Sequence, residues 1–195
     1  MSFLLFARND RLNPSRRAFL SESGLVLSAS AVALLAGCES LAAAQKNTDS
    51  AGGSDVAILN TALGAEREAI AAYQLGADSG LLDAGTKGLA LKFQGHHKAH
   101  ADLLAATVAK LGGQPVAAKK QYAFPVEKLK SQTDVLHFAA QLEEGAVSAY
   151  LGAVPAFGNR DLARAAASIL GDEAMHWAIL RNALGEDPVP AAFVG

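Results

Sequence analysis

One cysteine in 195 residues excludes an intrachain disulfide, so no covalent staple holds this chain together. Strand-like alternation of apolar and polar residues is absent, which removes the main signature of a half-buried sheet. The apolar run from about Gly24 to Ala36 is interrupted by Ser28 and Ser30 and falls short of the ~20 residues that span a bilayer comfortably. Charge of one sign does not dominate either. From Glu39 onward there are 13 Lys and Arg against 17 Asp and Glu, a net charge of −4 that gives no reason to invoke nucleic acid. Aromatics are scarce, with one tryptophan and three tyrosines, whereas Ala and Leu are plentiful. That composition says helices, and Ala on their inner faces implies close approach.

The front of the chain reads as an address. Arg8, Arg11, Arg16 and Arg17 form a basic leader, and Ser15-Arg16-Arg17-Ala18-Phe19-Leu20 resembles a twin-arginine export signal. Leu35-Ala36-Gly37-Cys38 resembles the lipobox at which a bacterial lipoprotein is cut and acylated on Cys38. An uncleaved membrane anchor, or a non-lipidated signal cut near Ala42-Ala43-Ala44, are the competing readings. The resemblance implies export, a lipid anchor in the bacterial envelope and a periplasmic location. Residues 1–38 are therefore a signal segment. Residues 39–54 are a tether, flexible where Ser, Gly and Asp crowd 46–54. Residues 55–184 are one domain with a single core, and 185–195 are a tail with no readable role.

Apolar periodicity divides the domain into four helices. The first starts near Ser54 or Asp55, either a good N-cap, and carries Leu59, Leu63, Glu66, Ile70, Tyr73 and Ala77 on one stripe. The second runs from about Thr86 to Leu111, stopped by Gly112-Gly113, with Leu89, Phe93, His97, His100, Leu104 and Leu111 aligned. The third starts near Thr133 or Asp134, aligns Leu136, Ala140, Glu143, Val147, Tyr150 and Val154, and is stopped by Pro155 and Gly158. The fourth, from Arg160 to Leu184, aligns Leu162, Ala166, Ile169, Glu173, His176, Leu180 and Leu184. Two short loops make two antiparallel hairpins, and residues 113–132, with Pro115 and Pro125, make a long crossover. The expected fold is all-α, a four-helix bundle.

Eight chemistry-bearing residues lie on those stripes in a repeated order. Glu66 and Glu143 are 77 positions apart, as are Tyr73 and Tyr150; His97 and Glu173 are 76 apart, as are His100 and His176. Buried carboxylates and imidazoles are costly unless neutralised. Residues three apart on a helix, as in Glu173-x-x-His176, can chelate one ion. One inward carboxylate from each of two helices, with such a pair from each of the others, describes a di-iron or di-manganese carboxylate site.

At these residues the chain resembles the ferritin-like superfamily, above all exported bacterial ferritin-like domain proteins, over about residues 55–184. The resemblance implies Glu66 and Glu143 as terminal ligands, Glu173 as a bridging carboxylate, and His100 and His176 as one imidazole per metal. His97 departs from the pattern, standing where the family has a second bridging glutamate. Three carboxylates against two divalent ions leave a charge of about +1, to be met by hydroxide or an anion, or by a site working with one ion. The half with Glu143, Glu173 and His176 keeps the family's residue types and is expected to fill first. Asp172 and His96 match positions that orient ligating imidazoles.

Plainer readings stand beside these. Glu173 and His176 would be a surface pair, Glu66 and Glu143 core-edge carboxylates, and His97 and His100 a satisfied core pair. Tyr73 and Tyr150 would be packing residues, or else bond ligand carboxylates across the bundle and tune or donate electrons. Glu68, Glu144, Arg67 and His137 read as surface groups, and Met175 and Trp177 as packing. Three functions follow: a di-iron enzyme oxidising Fe(II) or consuming O2 or peroxide; a metal-binding protein without turnover; or a metal-free interaction module. Iron is the expected metal, with manganese, zinc or a single ion as alternatives. A storage cage is not expected, since no fifth helix follows Leu184 and a lipid on each subunit would obstruct assembly. Homodimerisation through an exposed helix face stays open.

Overall fold

The computed structural model describes residues 51–194. The expected export signal, the expected lipidation site Cys38 and the expected tether up to residue 50 lie outside the described residues. Four helices carry the described chain: α1 (Ala51–Asp78), α2 (Ala84–Lys110), α3 (Gln132–Ala153) and α4 (Arg160–Ala183). The first starts earlier than its apolar stripe suggests, because Asp55 is not its cap. The Asp55 side chain is buried inside α1, where its carboxylate accepts hydrogen bonds from the backbone N–H groups of Gly158 (2.8 Å) and Asn159 (3.1 Å). It thereby clamps the loop between α3 and α4 onto α1, a contact that no local pattern encodes. Asp55→Ala leaves two backbone donors without that acceptor and should cost about 1–3 kcal/mol in urea denaturation.

The other three starts are set by side-chain caps: α4 begins at Arg160 as expected, and α2 and α3 begin one or two residues ahead of their expected starts. Asp83 caps α2 by accepting from the Thr86 N–H at 2.7 Å. Ser131 caps α3, accepting from the Asp134 N–H while its hydroxyl donates to the Asp134 carboxylate. Asn159 caps α4 through Asp161 N–H. Gln132 also exchanges hydrogen bonds with Asp83, tying the first hairpin loop to the start of α3. Gly112 and Gly185, at φ of 79° and 76°, end α2 and α4 in the left-handed conformation that glycine adopts without strain.

The pairing is that of two hairpins, α1 on α2 and α3 on α4, with the chain from Leu111 to Ser131 crossing between them. Asn60 pins this crossover onto α1, donating to the Gln114 carbonyl and accepting from the Val116 N–H. Among the described residues there is no strand, and none of their helices is long and apolar enough to cross a membrane. No helix follows α4 among them either.

Two apolar clusters cap the bundle's interior. One gathers Leu59, Leu63, Leu104, Val108, Ala166 and Ile169; the other gathers Tyr73, Phe93, Leu136, Ala140 and Leu180. The belt between them is polar. Glu66, His97, Glu143, Glu173 and His176 are each 3 % exposed or less. Apolar clusters above and below leave this belt little solvent exposure, and low exposure strengthens the charge interactions within it.

Candidate metal centre

Each helix contributes to the belt because the 3.6-residue period returns its polar positions to the inner face. From α1 come Glu66 and, almost two turns later, Tyr73; α3 supplies Glu143 and Tyr150 in the same spacing. From α2 come His97 and His100, and from α4 Glu173 and His176, each pair one turn apart.

Three overlapping groups of metal-ligating atoms result, two of four residues and a smaller one of His96, Asp172 and His176 at the outer edge. Glu66, His97, His100 and Glu173 form one of the larger groups, and His97, Glu143, Glu173 and His176 form the other. In the first, His97 Nδ1 lies 2.8 Å from Glu66 Oε2, and His100 Nδ1 lies 3.1 Å from Glu173 Oε1 and 3.6 Å from Glu66 Oε2. In the second, Glu143 Oε1 is 3.2 Å from His97 Nε2 and 3.4 Å from His176 Nδ1, which is 3.3 Å from Glu173 Oε2.

The tyrosines cross over between the hairpins. Tyr150 donates to Glu66 Oε1 at 2.6 Å, and Tyr73 donates to Glu143 Oε1. Burial pushes both phenols well above their ordinary pKa, with the facing carboxylates adding to the effect, so both hydroxyls keep their protons as donors. Removing either donor leaves a buried carboxylate short of a partner. Tyr150→Phe and Tyr73→Phe should each lower stability by about 1.5–3 kcal/mol, read by chemical denaturation.

Asp172 faces the outer edges of the imidazoles. Its Oδ2 is 3.0 Å from His96 Nδ1 and 3.3 Å from the Nε2 atoms of both His100 and His176. Binding the far nitrogen of a histidine orients the ring and leaves the near nitrogen facing the centre. His96 Nδ1 is also 2.9 Å from His176 Nε2, so this half-exposed residue joins the network rather than only facing solvent. His96 and Asp172 mark the side on which the centre approaches the surface.

In the metal-free chain the charges answer one another. Burial opposes a charged imidazole, yet hydrogen bonds with Glu143 and Glu66 overcome it and raise His97 to about 11. His100 and His176 rise to about 9 against the same burial penalty, through Glu173 with Glu66 and through Glu143 with Glu173 respectively. Burial likewise works against the carboxylates. Glu66 is nevertheless lowered by His100 and His97, and Glu143 by His176 and His97. Protons on three imidazoles thus occupy the role that cations would take.

The same donor atoms also have the arrangement that could hold metal ions. Five buried polar atoms have no hydrogen-bond partner: His100 Nδ1, His176 Nδ1, Glu143 Oε2 and both oxygens of Glu173. All five belong to this cluster, whereas buried polar groups normally find partners. The separations of 2.8–3.6 Å also fit a shared cation, since ligand atoms bound at ~2.1 Å stand roughly 3.0–3.4 Å apart.

A sequence-family model described as ferritin-like domain matches residues 54–186. The chain belongs to the ferritin-like family. Its ferritin-like bundle is also similar to a solved structure of a conserved hypothetical protein from Mycobacterium tuberculosis. That match has 24 % identity and a TM-score of 0.64, covering 73 % of this chain and 99 % of the other. A second resembles ferritin-like, diiron-carboxylate proteins from Bacillus anthracis strain Ames, at 21 % identity and a TM-score of 0.60, covering 69 % and 97 %. These two show the fold. Among curated proteins none matches this sequence.

Other expectations fare unevenly in this ferritin-like domain. Glu144 and His137 are exposed, and Trp177 is half-buried beneath Arg181. Met175, expected to pack, is 57 % exposed, because it points off the stripe that carries His176. Gln94 was missed. It is buried, donating to the Ile70 carbonyl and Gln74 while Lys98 donates to it. Only its position one turn before His97, beside Phe93, hints at burial.

Proposed function

We propose that this ferritin-like protein binds two divalent ions, iron by preference, and uses them to oxidise Fe(II) with O2 or peroxide at the cell envelope. The observation that carries the reading is the convergence of five buried donor atoms, none of them hydrogen-bonded, from three helices on one centre. Glu66, His100 and Glu173 would hold one ion; Glu143, His176 and Glu173 would hold the other; His97 adjoins both. The mixed carboxylate and imidazole set suits iron or manganese. Similarity to proteins described as diiron-carboxylate points the same way.

When bound, the ions would supply the electrons that reduce O2 or peroxide. The chain's own residues would do the rest. Tyr73 and Tyr150 hold the terminal carboxylates in place, and Asp172 aims His100 and His176 inward. The apolar clusters exclude bulk water, and the half-exposed edge at His96 and Asp172 admits ions and small oxidants. Export through Arg16-Arg17, with lipidation at Cys38, would place this chemistry in the periplasm; the twin-arginine route carries folded proteins, so metal could be loaded before export.

The test is to load the purified protein with Fe(II) under argon and then admit O2 or peroxide. An oxidised-iron chromophore and turnover above that of free iron are expected. Absence of both would refute the redox reading. His97, standing where a second carboxylate is usual, favours metal holding without turnover as the second reading. That outcome would appear as two bound ions per chain with oxidation no faster than in buffer.

A further inference from the structure

His97 and Glu173 are the two residues common to the two four-residue ligand groups. Glu173 reaches the two sides with different oxygens, Oε1 lying 3.1 Å from His100 Nδ1 and Oε2 3.3 Å from His176 Nδ1. His97 does the same with its nitrogens. Nδ1 lies 2.8 Å from Glu66 Oε2, and Nε2 lies 3.2 Å from Glu143 Oε1. We propose that His97 is a second bridging ligand that binds both ions at once, Nδ1 on the Glu66–His100 side and Nε2 on the Glu143–His176 side. The proposal rests on the two-ion reading above.

Geometry supports it in three ways. The ring lies between the terminal carboxylates, so each nitrogen already points toward the oxygen with which it would share an ion. The two ion positions would then be near-equivalent, each with one terminal carboxylate oxygen, one terminal Nδ1, one oxygen of Glu173 and one nitrogen of His97. The ring is also held in place: it is 1 % exposed, it meets His100 edge-on at 6.0 Å between centroids and 89°, and it lies tilted against Tyr73 at 5.2 Å. Turning it out of the centre would require displacing those neighbours.

Charge closes the argument. Glu66, Glu143 and Glu173 supply −3 against +4 for two divalent ions. An imidazole bound through both nitrogens has given up both ring protons to solvent and carries −1, which brings the centre to neutrality without hydroxide or an added anion. A buried, water-poor centre favours that neutrality. The position that appeared to weaken a two-metal site instead completes it.

An imidazole ring places more atoms between its ions than a single carboxylate or hydroxide bridge does. The ions should therefore sit farther apart than the ~3.5–4 Å of compact two-metal sites. The experiment uses full-length protein, stripped of metal and loaded with Co(II) alone under argon. Cobalt per chain is measured by elemental analysis, and ligands and metal–metal distance by X-ray absorption. The expected result is two cobalt ions, imidazole scattering, and no metal–metal vector within about 4 Å. In His97→Glu, two ions should remain and a short vector should appear. Two ions already in a compact pair in the wild-type protein, with the separation unchanged in His97→Glu, would overturn the bridge and leave the two-ion reading standing. One ion or none in the wild-type protein would sink both. The wild-type measurement decides the matter by itself if the variant does not fold.

Discussion

Glu173→Gln is expected to release both ions from the centre at once. Its two oxygens face different sides of the ligand cluster, and neither accepts a hydrogen bond in the metal-free chain. The amide keeps the shape but loses the negative charge and one of the two acceptor oxygens. In the wild-type chain, an ion present at about a hundred times its dissociation constant adds about 2.7 kcal/mol of stability, because it binds only the folded state. For a domain of this size that is a rise in melting temperature of roughly 8–12 °C. In Glu173→Gln the metal-dependent rise should vanish and metal per chain should fall from about two toward zero. Glu144→Gln, an exposed carboxylate one residue beyond Glu143, should change neither. A variant that lost only one ion would show that Glu173 serves a single position.

The metal-free chain should lose stability steeply as pH rises, and the loaded chain should not. His97, His100 and His176 have folded-state pKa values of about 11, 9 and 9, above the ordinary 6.5. A raised imidazole contributes fully below pH 6.5, and its contribution is lost as pH climbs through the folded value. Each imidazole protonated only in the folded chain adds a slope of about −1.4 kcal/mol per pH unit. Glu66 and Glu143 are lowered, so their contribution is present above the ordinary 4.5 and fades in acid. Metal-free protein should therefore be most stable between about pH 4.5 and 6.5. Bound ions replace the imidazole protons, so alkaline pH should strengthen metal binding and flatten the loaded curve. Melting temperatures from pH 5 to 10, with chelator and with Mn(II), test this; a metal-free value constant from pH 6.5 to 10 would contradict the charge pattern.

The stripes of α3 and α4 were legible because strong periodicity and turn signals agree there. Leu136, Ala140, Glu143, Val147 and Tyr150 are all buried, as are Ala166, Ile169, Glu173, His176 and Leu180. On α2 the stripe is shifted: Gln94, Ala101 and Val108 are inside, while Leu111 is 42 % exposed. Ala, Gly, His and Lys crowd that helix, so apolar side chains define its inner face weakly. The start of α1 was missed for a different reason. Asp55 has the look of a cap but bonds a loop 103 residues away, and sequence proximity carries no information about such a partner.

The sequence alone determined four helices, two hairpins and a set of polar residues returning to inner faces, because helical period and breaker residues are local properties. It also determined that Glu66, His97, His100, Glu143, Glu173 and His176 could meet, since chain order and spacing limit how a bundle closes. Only the tertiary structure decided who faces whom. Tyr73 crosses to Glu143 and Tyr150 to Glu66, Asp172 addresses two histidines, and His97 turns one nitrogen toward each half. Those choices depend on the rotation and spacing of helices relative to one another. That is a balance of packing over the whole bundle, which no single segment contains.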